Sequence, residues 1–415
     1  MPTPLAHASA AAAVDRHADT RTAAWGVADR LASDLAGSPA LTVVIASFHH
    51  AAALPEAVRI VRETTDAGSI LAMTACGVLA GVDEHHSGPA LTAFGLGGPG
   101  IRARSFAFDH LDGPADVWSR QLVRSRLRLA SPPRVVGLFG DPFSPGSASL
   151  PRAVEATVPA GTPLMGGLVS GGSQPGTNVL VADDRVLTGG TVGFVLEGAV
   201  EATPIIAHAG RGVGPLLVVT ATENGTITEL SGRPASEALD EVLAELSASD
   251  RSRLGARPLL GIASDANKRT LGRGDYLIRP IATVDRGGGG LLVPGGVARG
   301  SSVRFQVVDG DTERQDLAMA LDLAMLDERP VFGVLAASSA ARGPGLLGSD
   351  GHDAARLHAR LGGPPLAGLV TAAEVAPIGG RHRLAGMGLS AIALRPGADR
   401  WGPASPSPDA VPSAE

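Results

Sequence analysis

The stretch Thr177-Asn-Val-Leu-Val-Ala-Asp-Asp-Arg-Val-Leu-Thr-Gly-Gly-Thr-Val-Gly-Phe-Val-Leu196 decides the fold class. Two β-rich runs, Thr177–Ala182 and Val186–Leu196, flank Asp183-Asp184, and aspartates tolerate the backbone of a tight turn. The stretch therefore reads as a β-hairpin. On either side of it, compact apolar runs alternate with helical patterns, which alone would suggest a parallel sheet. A hairpin embedded in that alternation requires antiparallel pairing too. The expected fold is thus mixed α/β (α+β in its hairpins), with two lobes, each a mixed sheet with helices packed on it.

Working outward, Val27, Leu31 and Leu35 form a four-residue stripe typical of a short amphipathic helix. Leu41–Phe48 and Ser69–Thr74 read as buried strands, with a helix begun by Pro55 between them. Further strands are expected at Arg134–Phe139 and Pro163–Val169. A second set begins near Pro204, with strands at Leu216–Ala221, Thr226–Leu230, Leu259–Ser264, Ser302–Val308, Val331–Ala337, Leu366–Thr371 and Met387–Leu394. Helices are expected at Ser236–Leu246, Asp311–Leu326 and Asp353–Leu361. No repeat at a short solenoid period is visible. This divides the chain into a flexible tail (1–20), an N-terminal domain (21–203), a C-terminal domain (204–396) and a Pro/Ser/Ala-rich tail (397–415).

Composition narrows the function classes. The 415 residues exceed one ordinary core, and 44% hydrophobic with 18% charged residues is a globular balance. Only 3% are aromatic, so little surface is available for stacking on bases or sugars. The net charge of −6 argues against non-specific nucleic-acid binding. Arginine supplies nearly all the positive charge, Lys268 being the single lysine, a bias typical of GC-rich bacterial coding. One cysteine, Cys76, excludes an internal disulfide or a multi-cysteine metal site. Neither a secretory signal nor a membrane-length apolar run is present, so a cytoplasmic protein without membrane insertion is expected.

The usual catalytic signatures are missing. Gly210-Arg211-Gly212-Val213-Gly214-Pro215 lacks the spacing of a dinucleotide loop, and a strand follows it. The doublets His49-His50 and His85-His86 read as exposed loop residues, since neighbours on a strand point to opposite faces. No Ser-centred nucleophile elbow occurs. Cys76, at a strand-to-turn position, is the best nucleophile candidate, although lone cysteines are commonly buried for packing. No metal or cofactor is expected.

More telling are charged groups among small apolar neighbours at predicted strand ends, where α/β folds bind ligands. Arg279 ends a short strand. Arg342-Gly343 follows Val331–Ala337 and Ser338-Ser339. Glu374 follows Leu366–Thr371, with a loop shaped by Pro377 and Gly379-Gly380 behind it. An arginine fork suits a carboxylate and a glutamate suits an ammonium. The plainer alternative is that Arg342 and Glu374 pair and tie two loops together.

Several of these segments carry a family resemblance. Gly210–Pro215 with Val218-Val219-Thr220, then Glu229-Leu230-Ser231-Gly232-Arg233-Pro234-Ala235, resembles the opening of a FIST C-terminal domain. Tyr276–Ile281, Arg299–Phe305 and Ala367–Gly380 are similar to later segments of that domain. Val43–Phe48, the turn ending at Gly77, and Met165-Gly166-Gly167 resemble the FIST N-terminal domain. The order of these pieces across residues 25–396 carries the resemblance. Ser339 stands where the family often has cysteine, and Ala373-Glu374 where it tends to have Gly-Glu.

The resemblance implies a signal-input protein that binds a small polar metabolite, such as an amino acid, and passes its signal to a partner in trans. Arg279, Ser339, Arg342 and Glu374 would make the polar contacts, with Arg211, Gly343, Gly379 and Cys76 completing the candidate ligand-binding set. The alternatives from other classes are a hydrolase-like or transferase-like enzyme using Cys76 or Ser339, and a non-catalytic interaction scaffold.

Overall fold

A computed structural model of the chain describes residues 7–35, 37–109, 120–208, 210–265, 268, 270–348 and 351–397. The fold is mixed α/β, as the embedded hairpin requires. One four-strand arrangement recurs through it. Ser9–Asp15 runs antiparallel to Leu91–Gly97, which runs antiparallel to Leu41–Ser47, which runs parallel to Ser69–Ala75. Ile101–Phe108, Thr191–Gly198, Val135–Gly140 and Leu164–Leu168 repeat that order and those directions. So do Val200–Ala207, Leu389–Pro396, Gly333–Ser339 and Leu366–Thr371. Arg211–Glu223, Ser302–Val307, Leu259–Ala263 and Tyr276–Pro280 keep the order, but their last pair is antiparallel.

The directions follow from the connections. A parallel pair needs a crossover, and the helices Leu54–Thr65, Leu150–Glu155 and His352–Arg360 supply one in each of the first three units. The fourth unit has only the short 3-10 turn Arg273–Asp275 there, and its strands return antiparallel. This unit is inserted in the chain between Val200–Ala207 and Gly333–Ser339 of the third.

The two halves of the chain exchange strands. Val78–Ala80 adds to Leu366–Thr371, and Ala373–Ile378 adds to Leu164–Leu168. The largest apolar core accordingly draws on both, with Leu41, Phe94, Phe139 and Phe194 packed together with Leu335 and Ile392. The inserted unit has its own core around Val219, Leu239 and Phe305. The strand Val200–Ala207 spans the junction expected near 199–204.

Three sequence expectations need correction. Ser9–Asp15 is not part of a flexible tail. It is a strand whose Ala11 and Ala13 are buried, because pairing with Leu91–Gly97 overrides alanine's weak preference for strands. Residues 1–6, and 398–415 of the expected C-terminal tail, lie outside the described residues. Val186–Leu196 is not one strand: Arg185–Leu187 completes the hairpin with Leu180–Ala182, and Thr191–Gly198 joins another sheet. Gly190, at φ +82°, makes the change of direction between them. The segment behind Glu374 is not a loop but a hairpin, Ala373–Ile378 with Arg381–Ala385, turning at Gly379-Gly380.

Gly166 shows why the Met165-Gly166-Gly167 run is needed. Its φ is +113°, and a β-carbon there would lie 2.0 Å from the Leu138 carbonyl oxygen on the neighbouring strand. Gly166→Ala is therefore expected to destabilise the fold by more than about 2 kcal/mol in urea unfolding. A loss within measurement error would mean that this strand pair is not as close as described.

Candidate functional site

A cleft of about 770 Å³ opens where the inserted unit faces the strand ends of the other sheets. Cys76 directly follows the strand Ser69–Ala75, Ala340 follows Gly333–Ser339, and Val370 lies at the end of Leu366–Thr371. These are carboxyl ends of parallel strands, where backbone and loop groups converge and side chains can point into open space. The opposite wall is Arg253, Ala256 and Arg257, at the end of the helix Ala248–Ala256, together with Val307.

Charge in this cleft is concentrated on the inserted unit. Arg253 pairs with Asp250 at 3.5 Å and keeps 46% of its side chain exposed. Arg257 has no ion pair among the described residues. Four residues apart, these arginines share one side of the helix end. Across from them stands His86, whose Nε2 lies 2.9 Å from Glu84 Oε2. Glu84 is itself buried, and its Oε1 accepts a bond from the Ala354 amide at 2.9 Å. The Asp83–His86 run is thus not an exposed loop: Asp83–His85 is a strand, and the carboxylate within it orients the histidine. His50, also expected to be exposed, is buried as well, and burial lowers its pKa.

Behind the wall formed by Ala340, Ala341 and Gly343 lies a buried charge network. Arg342 is 1% exposed and donates to Asp353 through Nε at 2.7 Å and Nη2 at 2.9 Å, and to Glu313 through Nη1. Ser338 donates to Asp353 Oδ2 at 2.8 Å. Burial pulls the Arg342 pKa down, but Asp353 and Glu313 outweigh it and raise it. Burial likewise opposes ionisation of Asp353, yet Arg342 holds its carboxyl below the usual range. Glu313 is pushed up to about 7 and Glu374 to about 8, in both cases mainly by burial. One guanidinium therefore lies among three buried carboxyl groups, and the charge balances when Glu313 and Glu374 both carry a proton.

The predicted site residues divide among several places. Cys76 is exposed and lines the cleft with Gly343. Ser339 lies behind it, and its Oγ accepts bonds from the Ala341 amide at 3.3 Å and the Met387 amide at 3.0 Å, fixing two wall residues. Arg342 is behind the wall rather than on it, so the guanidinium expected to meet a ligand is enclosed by protein carboxylates. Neither does it pair with Glu374 in a direct hydrogen bond. Glu374 Oε1 instead accepts from the Gly388 amide at 2.8 Å, and its buried Oε2 has no partner. Arg211 ties Asp250 (2.5 Å) to Asp309 (3.4 Å), joining two helix starts. Arg279 and Gly379 line a different cavity.

The sequence reading missed Arg253, Arg257, His86 and Glu84. The four-residue spacing of the two arginines was a usable signal for a shared face, but nothing local says which surface that face meets. Among the described residues, no group of three His, Cys, Asp or Glu side chains is placed to hold a metal. Among the described residues, no helix is long and apolar enough to cross a membrane.

Fold and cleft together define a two-lobed mixed α/β protein with a cleft at parallel strand ends. Residues 40–233 match the FIST N domain and residues 235–377 the FIST C domain, and the chain belongs to the FIST family. It is 32% identical over 372 residues to the uncharacterized protein Rv0628c of Mycobacterium tuberculosis, covering 89% of this chain and 94% of that one. It is 30% identical over 371 residues to the uncharacterized protein Mb0898c of Mycobacterium bovis, with the same coverage. FIST domains are associated with sensory signal transduction.

Proposed function

We propose that the chain is a signal-input protein that captures a small anionic metabolite, of amino-acid or organic-acid size, in the cleft between Cys76 and Arg257. The observation that carries this reading is the pairing of Arg253 and Arg257 with a cleft of about 770 Å³ at the ends of parallel strands. That volume suits a small ligand. A guanidinium without a carboxylate partner is suited to a ligand's own carboxylate. In this reading Ser339, Arg342 and Glu374 are positioning residues: they hold the wall Ala340–Gly343 and the segment at Met387. A ligand bridging the inserted unit and the strand ends would favour one arrangement of the two over others, and a partner in trans would read the difference.

The test is a thermal-shift panel of amino acids and organic acids. One compound is expected to raise the melting midpoint by about 2 °C at a hundredfold excess over its Kd. Arg257→Glu should abolish that shift without lowering the midpoint of the unliganded protein. If no compound stabilises the wild type, or the variant responds equally, the reading fails.

A thiol-dependent reaction is the second reading. Its support is that Cys76 shares the cleft with a carboxylate-oriented histidine, His86. Cys76→Ala separates the two, since binding survives it and covalent turnover does not.

A further inference from the structure

A second cavity, of about 640 Å³, lies between two sheet edges and has no part in the reading above. One edge is the strand Tyr276–Pro280 of the inserted unit, and the other is the hairpin strand Arg381–Ala385. The helix Leu150–Glu155, from the N-terminal half, closes the third side. Each element contributes cations: Arg279 from the first, Arg381 and Arg383 from the second, Arg152 from the third. No carboxylate pairs with any of the four among the described residues. Asp265 is the one acidic residue in the lining.

The chain has a formal net charge of −6, and other arginines such as Arg21, Arg211, Arg286 and Arg360 are matched to acids, so four arginines converging on one cavity without a carboxylate partner form a local excess of positive charge. Like charges brought together on three separate elements repel, and the arrangement gains when an anion lies among them. The wall also holds a polar group with nothing to bond. Ser264 Oγ is buried without a hydrogen-bond partner, and it sits against Gly379, where a β-carbon would fall 1.8 Å away. Gly379, at φ +58°, thereby leaves the hydroxyl its place in the cavity wall.

From this geometry we infer that the cavity is a binding site for a small phosphate-bearing polyanion. A single carboxylate is satisfied by one guanidinium fork. Forks arriving from three directions match the tetrahedral oxygens and the higher charge of phosphate groups. The lining contains no Phe, Tyr or Trp, and its one aromatic ring, His382, is tied to Glu155 through Nδ1 at 2.8 Å, so the phosphates rather than a stacked base carry the recognition.

Calorimetric titration of the full chain with inorganic pyrophosphate tests the site, with ADP and a sugar diphosphate as parallel arms. Pyrophosphate is expected to bind, and Arg381→Gln combined with Arg383→Gln to weaken it at least about tenfold. Arg152→Gln, on a separate element, should weaken it as well. These side chains are exposed, so an unchanged melting midpoint verifies the fold of each variant. Arg257→Glu, in the other cleft, should leave pyrophosphate binding unchanged, which separates this site from the one proposed above. ADP binding no more tightly than pyrophosphate identifies a non-nucleotide phosphate, whereas tighter binding of ADP would overturn the claim that the phosphates alone carry the recognition. Absence of pyrophosphate binding at millimolar concentration, or its loss only in Arg257→Glu, would overturn the site itself.

Discussion

Arg342→Met is expected to cost about 3–5 kcal/mol of folding stability, the penalty for removing one partner of a buried ion pair. Arg342 and Asp353 are both at or below 1% exposure, and each hydrogen-bonds the other twice. Methionine fills much of the volume but leaves Asp353 charged in an apolar interior, with only Ser338 and His352 to bond it. Glu313 suffers less, because its carboxyl, pushed up to about 7 by burial, takes a proton readily. Whole-domain stabilities are only about 5–15 kcal/mol, so the variant should melt well below the wild type. Adding Asp353→Leu should recover part of the loss, since an apolar pair of similar volume replaces a buried ionic one at little cost. Urea unfolding followed by circular dichroism measures both. A loss below about 1 kcal/mol for the single variant would mean that water reaches this network.

Glu374 makes the second large effect, and it depends on pH. Its carboxyl is pushed up to about 8 in the folded chain, chiefly by burial, against an ordinary value of 4.5. A group raised on folding leaves stability intact below its unfolded pKa and removes it as pH climbs through the folded value. Stability should therefore fall between about pH 4.5 and 8, by a few kcal/mol at roughly 1.4 kcal/mol per unit. Glu313, at about 7, adds to the fall in the same direction. Asp353 acts oppositely: its pKa is lowered, so its contribution is lost as pH drops below the usual carboxylate range. The chain should accordingly be most stable in mildly acidic solution. Glu374→Gln keeps the acceptor for the Gly388 amide and cannot ionise. It should match the wild type near pH 5 and exceed it at pH 8.5 by a few kcal/mol. Parallel pH profiles for the two proteins would contradict the assignment.

The mixed α/β class was legible because the Asp183-Asp184 hairpin interrupts an otherwise alternating pattern. Strands with dense β-branched content, such as Leu41–Ser47, were equally plain, since their burial on both faces leaves an unbroken apolar run. Ser9–Asp15 was not, because an alanine run has no local preference for a strand and gains one only from its partner. The exchange of Val78–Ala80 and Ala373–Ile378 between halves was hidden for a related reason: pairing partners hundreds of residues apart leave no local trace. At the candidate cleft, strand-end logic pointed to Ser339–Gly343, which form or back one wall, but it expected Arg342 to face a ligand where the structure encloses it among carboxylates. Its partners, Glu313 and Asp353, lie 29 and 11 residues away on separate helices. Arg253 and Arg257 face Cys76 only through the docking of the inserted unit, which no spacing reveals.

Cys76 gives the most direct test of the ligand cleft, because it is the chain's single thiol and is exposed within the cleft wall. The measurement is the rate of its alkylation by a maleimide, with and without the strongest stabiliser from the amino-acid and organic-acid panel. A ligand lodged between Cys76 and Arg257 should slow the reaction in proportion to occupancy, and Arg257→Glu should remove the protection. A compound that stabilises the protein while Cys76 reacts at its unliganded rate would place the binding site elsewhere.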